Sequence, residues 1–384
     1  MGALMSDPRR AAIVGIYMTE QGKLSDRTAG SVYAESVLGA LTDAGLGVKD
    51  IDGIIGTGPE GAGIAGDFSD NFGVTLRFQA QTGVGASSSS SGIGIAAMAI
   101  ERGYADVVII PTASGGAIRP GSRTGGGPTP SSFEHIWGSN PAAVYAMAAR
   151  RHMYEYGTTP AQLAEVAVAA RKHATLNPAS VMGERGLISV EDVLESRMIA
   201  DPLHLFDCCL VNAGGGAIVM TTMERAQDLR TTPIVLMGWG EGFTFHDIMT
   251  APSMTSFGGV VAATAAFAHA GISRDDIDVA GISDHFSINV LIELEDAGFC
   301  DKGEGGDFIA GGAIQLGGRL PVNTDGGFLS NSHGGGCGLY TVVELVRQLR
   351  GEAGERQVEN CNLAYAHGTG GTFQGQYAAI FGRK

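Results

Sequence analysis

Apolar runs and helix-spaced segments alternate along the chain. Residues 11–19 form a short apolar run typical of a buried strand, residues 30–46 carry apolar positions at helical spacing, and residues 48–58 predict a second strand. The same order of strand, helix and strand returns within residues 233–286. Such alternation predicts an α/β fold in which helices cover a predominantly parallel sheet.

The two passages also agree in detail. An Ala-Gly pair ends the predicted helix at 44–45 and again at 270–271, and each pair precedes an Ile-Asp pair by the same interval. Segments 94–110 and 338–371 repeat a second unit, a helix followed by glycine and an apolar strand. We therefore predict that the chain contains two duplicated α/β halves.

The predicted halves span residues 1–228 and 229–384, with a polar stretch at their boundary. The first half contains an insertion at about 115–205, which opens with a loop rich in Gly, Pro and Ser and includes helical pieces such as 160–174. An insertion of this kind can lie over a site and shape a substrate pocket.

Composition narrows the class of protein. The formal net charge is −15, from 40 acidic and 25 basic residues, which argues against nucleic acid as a partner. No apolar run reaches the length of a membrane span. Five irregularly spaced cysteines indicate neither a disulfide framework nor a zinc site. These features favour a soluble, cytoplasmic protein.

Five consecutive serines stand out in the sequence GVGASSSSSGIG, residues 83–94, between a glycine-rich approach and an alanine-rich helix. A turn that enters a helix is a good place to hold a nucleophile or an anion, because the first N–H groups of a helix are unpaired. The 60 glycines of the chain gather beside apolar runs, as expected for turns that form a site.

Four segments carry further motifs: 199–226, 284–306, 320–338 (LPVNTDGGFLSNSHGGGCG) and 364–371 (AYAHGTGG). Together they resemble the thiolase superfamily, and within it the sterol-carrier or lipid-transfer type. The resemblance implies a five-layered αβαβα fold with mixed, mostly parallel sheets, usually assembled as a homodimer. It also implies chemistry on a CoA thioester substrate without another cofactor, in which a carbon–carbon bond is made or broken through an enolate.

Thiolases carry the acyl group on a cysteine in the turn that matches the serine run. Two alignments of this turn put that position at Ala86 or at Ser89, and the chain has no cysteine before Cys208. Either Ser87, Ser88 or Ser89 replaces the nucleophile, or the serines cap the helix and line a pocket. The second interpretation is favoured, because a serine hydroxyl hardly ionises at pH 7 without an adjacent base.

Two histidines are candidate catalytic groups. His333 matches the histidine of the thiolase Gly-His-Pro motif, where a neutral imidazole can donate to a thioester oxygen as negative charge develops. His285 stands in SDHF, where lipid-transfer thiolases have His-Asp-Cys-Phe, and so replaces their acid/base cysteine. The alternative for each is a histidine that only hydrogen-bonds within its loop.

The resemblance implies supporting roles for three residues, which are His367, Gly370 and Asn323. The loop of His367 and Gly370 reaches the active site in the family, and its backbone N–H groups help to bind an oxyanion. Asn323 matches an asparagine that hydrogen-bonds within its loop or holds a catalytic water. Cys337 is either a proton donor or, as is commoner for a free cysteine, buried and unreactive. No metal-binding cluster is evident in the sequence.

Three functions follow as alternatives. The first is retro-aldol cleavage of a β-hydroxyacyl-CoA, with His333 stabilising the enolate and His285 as base. Cysteine-free members of the group work in this way, often with a small OB-fold partner, but tend to carry tyrosines where this chain has the two histidines. The second is acyl transfer of the acetyl-CoA acetyltransferase kind, by a serine or a partner-borne acyl group. The third is a non-catalytic protein that binds acyl-CoA or lipid, which the two histidines disfavour.

Overall fold

A computed structural model describes residues 9–57, 64–83, 85–115 and 140–383 of the chain. Residues 116–139 lie outside the described residues, and they include most of the loop rich in Gly, Pro and Ser that opens the predicted insertion.

The described residues form strands close to those that the sequence predicts. They are β1 (Ala11–Met18), β2 (Gly53–Thr57), β3 (Phe78–Thr82), β4 (Val107–Ser114), β5 (Met198–Ala200), β6 (Leu203–His204), β7 (Gly214–Thr222), β8 (Ile234–Phe243), β9 (Val279–Ile282), β10 (Leu363–Gly370) and β11 (Gly375–Arg383). The strand predicted at 48–58 begins five residues later as β2, because residues 48–50 form a single 3₁₀ turn.

The helices likewise follow the predicted alternation. They are α1 (Ala29–Ala44), α2 (Ile64–Phe72), α3 (Ser88–Glu101), α4 (Pro141–Tyr156), α5 (Pro160–Thr175), α6 (Val190–Glu195), α7 (Met223–Ala226), α8 (Gly259–Ala270), α9 (Ser287–Ala297), α10 (Gly305–Ala310) and α11 (Cys337–Arg350). Gly45 and Gly271, at φ +74° and +66°, end α1 and α8 in the left-handed conformation that favours glycine. None of the described helices is long and apolar enough to span a bilayer.

One mixed sheet joins the two halves. Its order in the described chain is β3-β2-β4-β7-β1-β8-β11-β10-β9, and β1 meets β8 at Ala12–Val235 and Ile13–Ile234. The parallel pairs that strand–helix alternation predicts join β2 to β3, β2 to β4, and β9 to β10. The other ladders between the described strands of this sheet are antiparallel. Strand β7 follows the insertion and lies between β4 and β1, antiparallel to both, and a short turn links β10 to β11.

Helices cover both faces of this sheet, which gives the predicted layered architecture. On β1, Ala12 and Val14 pack into the hydrophobic cluster that contains α1 and α8. Ala11 and Ile13, which point the opposite way, pack into a second cluster that contains α3 and α11. Helices α3 and α11 therefore lie in the central layer, and the sequence boundary at 228 falls between α7 and β8.

Glycines in the strands allow the outer helices to approach the sheet closely. A methyl group on Gly240 of β8 would overlap the carbonyl oxygen of Ala262 in α8 and lie 2.7 Å from the Cβ atom of Ala265. This contact sets the distance between α8 and the sheet, since neither the helix backbone nor the strand can give way without loss of packing.

We expect Gly240→Ala to lower the free energy of unfolding by about 1–3 kcal/mol, the usual cost of overpacking. Urea denaturation followed by circular dichroism measures this change. Gly30→Ala is the matched control, because that glycine is exposed in the first turn of α1 and its nearest neighbour would be 3.9 Å away. Equal stability of the two variants would contradict the close approach of α8.

Candidate active site

A buried carboxylate joins the loop of His285 to the loop of His333. His285 lies in the short connection between β9 and α9. In the same connection, the Asp284 carboxylate accepts hydrogen bonds from the backbone N–H groups of Phe328 at 2.7 Å and Leu329 at 3.2 Å. Two loops that lie far apart in the sequence are therefore fixed against each other by one side chain.

The segment that receives Asp284 is a π-helical turn, Gly327–Asn331. Gly327 is in the left-handed region at φ +59°, and a methyl group there would overlap the Asp284 carboxylate. Glycine at this position thus lets the carboxylate reach the backbone N–H groups, and π-helical turns are frequent at functional sites.

His333 follows this turn and is held by hydrogen bonds on its main chain. Its backbone N–H donates to Asn212 Oδ1 at 2.9 Å, and Asn212 Nδ2 donates to Ser332 Oγ at 2.9 Å. Ser332 Oγ in turn donates to Gln21 Oε1 at 2.6 Å. These bonds fix the backbone of the histidine loop on the end of β7 while leaving the imidazole ring outside the network.

Three glycines follow His333 and lie flat against the strands. A methyl group on Gly334 would lie 2.6 Å from the carbonyl carbon of Ala213, and one on Gly335 would lie 2.5 Å from the backbone nitrogen of Ser114. One on Gly336 would overlap the Thr112 side chain. These close backbone approaches hold the loop against the sheet, at a position where this chain has Gly334 and the thiolase Gly-His-Pro motif has proline.

The structure brings His285, His333 and Cys337 into one cluster. The imidazole centroids are 5.1 Å apart with nearly perpendicular planes, at 87°. Cys337 Sγ lies 3.8 Å from His285 Nε2, and one ring nitrogen of each histidine and the sulfur all lie within 4.8 Å of one another. Cys337 is therefore part of the candidate site, which its position in the sequence alone did not establish.

Burial keeps this cluster uncharged at neutral pH. It lowers the pKa of His333 to about 4, although the backbone carbonyl of Leu210 opposes the shift. Burial, followed by the nearby His333, lowers the pKa of His285 well below its usual value. Burial also raises the pKa of Cys337 to about 12. Two neutral imidazoles and a protonated thiol therefore face one another.

Three helix N-termini converge on this cluster. Helix α11 begins at Cys337 itself, and α9 begins two residues after His285. Helix α3 begins beside them, because Ser89 Oγ donates to the carbonyl of Gly336 at 3.3 Å and Ser90 Oγ donates to that of Gly338 at 3.0 Å. Since a helix N-terminus carries partial positive charge, the arrangement favours negative charge that develops between them.

The serine run lies next to the cluster, and its members differ in their contacts. Ser87 is the N-cap residue of α3, but its side chain makes no capping hydrogen bond. Ser88 Oγ is buried, and no partner for it is found among the described residues. Ser89, one of the two aligned positions of the thiolase cysteine, is bonded to the histidine loop. Ser87 and Ser88 remain the predicted alternatives for an acyl carrier.

The glycine turn after β10 packs on the serine turn. A methyl group on Gly85 would lie 2.6 Å from the backbone nitrogen of Gly371 and 3.4 Å from Gly370, and one on Gly368 would lie 3.4 Å from the Ser87 Cβ atom. The predicted supporting loop therefore reaches the candidate site through its backbone.

The side chains of His367 and Asn323 point elsewhere. His367 pairs with Gln376 Oε1 at 3.1 Å and with the Tyr365 hydroxyl at 3.3 Å, inside a buried polar cluster. Asn323 Oδ1 accepts from the backbone N–H of Ile282 and its Nδ2 donates to the carbonyl of Ile282, both at 2.8 Å. Asn323 thus holds the end of β9, immediately before the His285 connection.

An aromatic wall beside His285 was not predicted. The Tyr145 ring, in α4 of the insertion, lies 4.6 Å from Phe286, 4.5 Å from Phe373 and 6.5 Å from His285 between centroids. Phe328 lies 5.1 Å from His285 on another side. The sequence analysis predicted that the insertion shapes a pocket but did not single out Tyr145. An aromatic side chain in an alanine-rich helix is common in any hydrophobic core.

Comparison with known proteins identifies relatives of this arrangement. A family model described as thiolase C-terminal domain-like matches residues 240–383. The chain is 37% identical to a steroid side-chain-cleaving aldolase of Thermomonospora curvata, over 94% of this chain and 96% of that protein. It is 38% identical to the 17-hydroxy-3-oxo-4-pregnene-20-carboxyl-CoA lyase of Mycobacterium tuberculosis, over 89% and 92%. The solved Ltp2–ChsH2(DUF35) aldolase is 34% identical with a TM-score of 0.89 over 98% of each chain.

The chain belongs to the thiolase superfamily. The predicted thiolase fold and the predicted enzyme class, a thiolase-type carbon–carbon lyase, are confirmed. The roles of individual residues stay predictions. The distances between their side chains indicate which of them could act together.

We expect His333 to remain neutral between pH 8 and pH 5, because burial lowers the pKa of its imidazole to about 4. Nitrogen NMR of protein labelled with [¹⁵N]histidine measures the protonation of each ring, and His333→Gln assigns the signals. A titration midpoint near the ordinary value of 6.5 would contradict the burial of this imidazole.

Proposed function

We propose that the chain catalyses retro-aldol cleavage of a β-hydroxyacyl-CoA to a carbonyl compound and a second acyl-CoA. The observation that carries this proposal is the pair of neutral imidazoles, His285 and His333, in contact beside a serine turn that contains no cysteine. The pair retains the means to move a proton and to stabilise an enolate, and an acyl-cysteine is not needed for this reaction.

One residue of the site, His285, both removes and returns the proton that the reaction transfers. His285 takes the β-hydroxyl proton while the carbon–carbon bond breaks, and the released electron pair forms the thioester enolate. His285 then returns the proton to the α-carbon, so no oxidant or reductant is consumed. Because burial lowers the pKa of His285, its imidazolium form returns a proton readily.

His333 acts on the other end of the enolate. A neutral imidazole has one N–H group, and we infer that this group leaves the carbonyl of Leu210 and donates to the thioester oxygen as negative charge develops there. The converging N-termini of α3, α9 and α11 add partial positive charge without adding a titratable group. Both contributions act in a buried site, where electrostatic interactions are stronger than in water.

The aromatic wall supports a large, apolar carbonyl product. The buried rings of Tyr145, Phe286 and Phe373 pack against one another beside His285, so the surroundings of this histidine are apolar. Two relatives are named for steroid side-chain cleavage and for a pregnene carboxyl-CoA lyase. We therefore extend the proposal to β-hydroxyacyl-CoA substrates whose hydroxyl carbon is part of, or attached to, a bulky alicyclic group such as a steroid.

The assembly is also part of the proposal. A small OB-fold partner protein and a homodimer are the expected forms for this type of thiolase, and the similar Ltp2–ChsH2(DUF35) aldolase carries two protein names. Co-expression with such a partner is therefore included in the assays below, beside the chain alone.

Acyl transfer through serine is the second candidate. It is favoured by the Ser88 hydroxyl, which is buried at the N-terminus of α3 and has no hydrogen-bond partner among the described residues. A base adjacent to the hydroxyl is needed for this chemistry, and no hydrogen bond from Ser88 Oγ to a histidine is present in the described chain.

We expect His333→Ala to lower kcat for cleavage of a β-hydroxyacyl-CoA by about 10²–10³-fold, the usual loss for an oxyanion donor. His285→Gln should cost about 10²–10⁴-fold, because it removes the acid/base group. Formation of the carbonyl product, measured by chromatography and mass spectrometry, checks both values.

His269→Ala is the matched control for these variants, since His269 is exposed near the end of α8 and its ring contacts the carbonyl of Trp239 rather than the cluster. Thermal unfolding should show that all three variants remain folded. Full cleavage by both active-site variants would refute the assigned roles.

After incubation with acyl-CoA, we expect intact-protein mass spectrometry to show no added acyl group, because the reaction proposed here forms no acyl-enzyme. An adduct that disappears in Ser88→Ala and persists in Ser87→Ala would instead establish acyl transfer through Ser88. The reverse pattern would place the acyl group on Ser87.

A further inference from the structure

We propose that His285, His333 and Cys337 also form a binding site for one thiophilic divalent cation, with zinc as the representative ion. We further infer that an ion bound there inhibits the retro-aldol reaction, a consequence that rests on the proposed function. Neither the sequence nor the relatives of the chain suggest such a site.

The geometry of the three side chains is close to that of a zinc site. Cys337 Sγ and His285 Nε2 are 3.8 Å apart, and the three candidate ligand atoms lie within 4.8 Å of one another. Tetrahedral zinc with bonds of about 2.0–2.3 Å places its ligands roughly 3.5 Å apart. Small rotations of the side chains are therefore enough to bring all three atoms to one ion.

One ring nitrogen in the cluster lacks a hydrogen bond. His285 is only 8% exposed, and its Nδ1 atom has no partner among the described residues. Because Nε2 is the atom that faces Cys337, Nε2 is the candidate ligand, and Nδ1 carries the ring proton when the ion binds. The His333 imidazole, by contrast, is oriented by the backbone carbonyl of Leu210, the kind of contact that fixes a metal-binding histidine.

The chemistry of the ligands selects the ion. Two neutral imidazoles and one thiolate favour zinc or cobalt(II), whereas magnesium and calcium prefer oxygen ligands. Cys337 has to release its proton to the solvent when the ion binds, so affinity increases with pH. His333 is of intermediate exposure as a whole residue, although burial of its ring lowers its pKa, so an ion can reach the cluster from this side.

A bound ion changes the catalytic groups directly. It takes the lone pair that His285 needs to accept the substrate proton, and it turns the imidazole of His333 toward the metal. Three protein ligands leave a fourth coordination position open. The bound ion therefore removes the proton transfer that cleavage requires.

Cobalt(II) titration of the full chain after treatment with a chelator tests the site without any turnover. We expect one equivalent to produce a near-ultraviolet thiolate-to-cobalt charge-transfer band and visible bands of tetrahedral cobalt, and zinc to remove them by competition. Cys337→Ser should abolish the charge-transfer band, and His285→Asn should weaken binding by about 10-fold or more. Cys361→Ser, which alters another buried cysteine, is the matched control and should keep the band.

Absence of the band in the folded wild-type chain would overturn the site, as would an unchanged band in folded Cys337→Ser. His333→Asn serves as a second ligand variant if Cys337→Ser fails to fold. Inhibition of cleavage by zinc, with a potency that falls at least 10-fold in Cys337→Ser, supports the second part of the inference. Because the cobalt bands are measured without substrate, failure of the proposed cleavage leaves the test of the metal site intact.

Discussion

The candidate site depends on one buried carboxylate. Asp284 binds the N–H groups of Phe328 and Leu329 and so fixes the connection that carries His285 to the loop that carries His333. Burial raises the pKa of Asp284 to about 7, while these two N–H groups oppose the shift by favouring its charged form. Each loop is anchored a second time, through Asn323 on the end of β9 and through Asn212 beside β7. The distance between the imidazoles follows from these bonds.

This arrangement explains why neutral imidazoles suit the reaction. Two protonated rings 5.1 Å apart would repel each other in a buried site, so the cluster stays uncharged in the resting state. Positive potential comes instead from the N-termini of α3, α9 and α11, which need no proton and are in place before the substrate arrives. The site is therefore prepared for an enolate whose charge appears only during cleavage.

The alternation of strands and helices, the glycines that end α1 and α8, and the thiolase type were all predictable from the sequence, because they depend on local patterns. The positions of His285 and His333 were found through motifs. The contact of Cys337 with His285 and the aromatic wall around Tyr145 could not be predicted. They join residues that lie far apart in the sequence and meet only in the folded chain. Mixed sheets were expected, but the antiparallel neighbours could not be identified. The position of β7 between β4 and β1 depends on how the folded chain returns from the insertion. The two bonds from Asn323 to Ile282 could not be predicted from the sequence, because they join a loop to a strand about forty residues earlier in the chain.

The thiol of Cys337 raises the question of whether this cysteine could carry an acyl group, which the proposed reaction does not need. The sequence predicts that His285 replaces the acid/base cysteine of lipid-transfer thiolases, and Cys337 supplies a thiol 3.8 Å from that imidazole. Backbone N–H groups at the start of α11 lower the pKa of this thiol, but burial outweighs them and raises it to about 12. A thiol that keeps its proton at neutral pH is a poor nucleophile, because the thiolate is the reactive form. Cys337 therefore cannot substitute for the acyl-carrying cysteine merely by lying near the histidines, and carbon–carbon cleavage without an acyl-enzyme is the chemistry that the uncharged cluster supports.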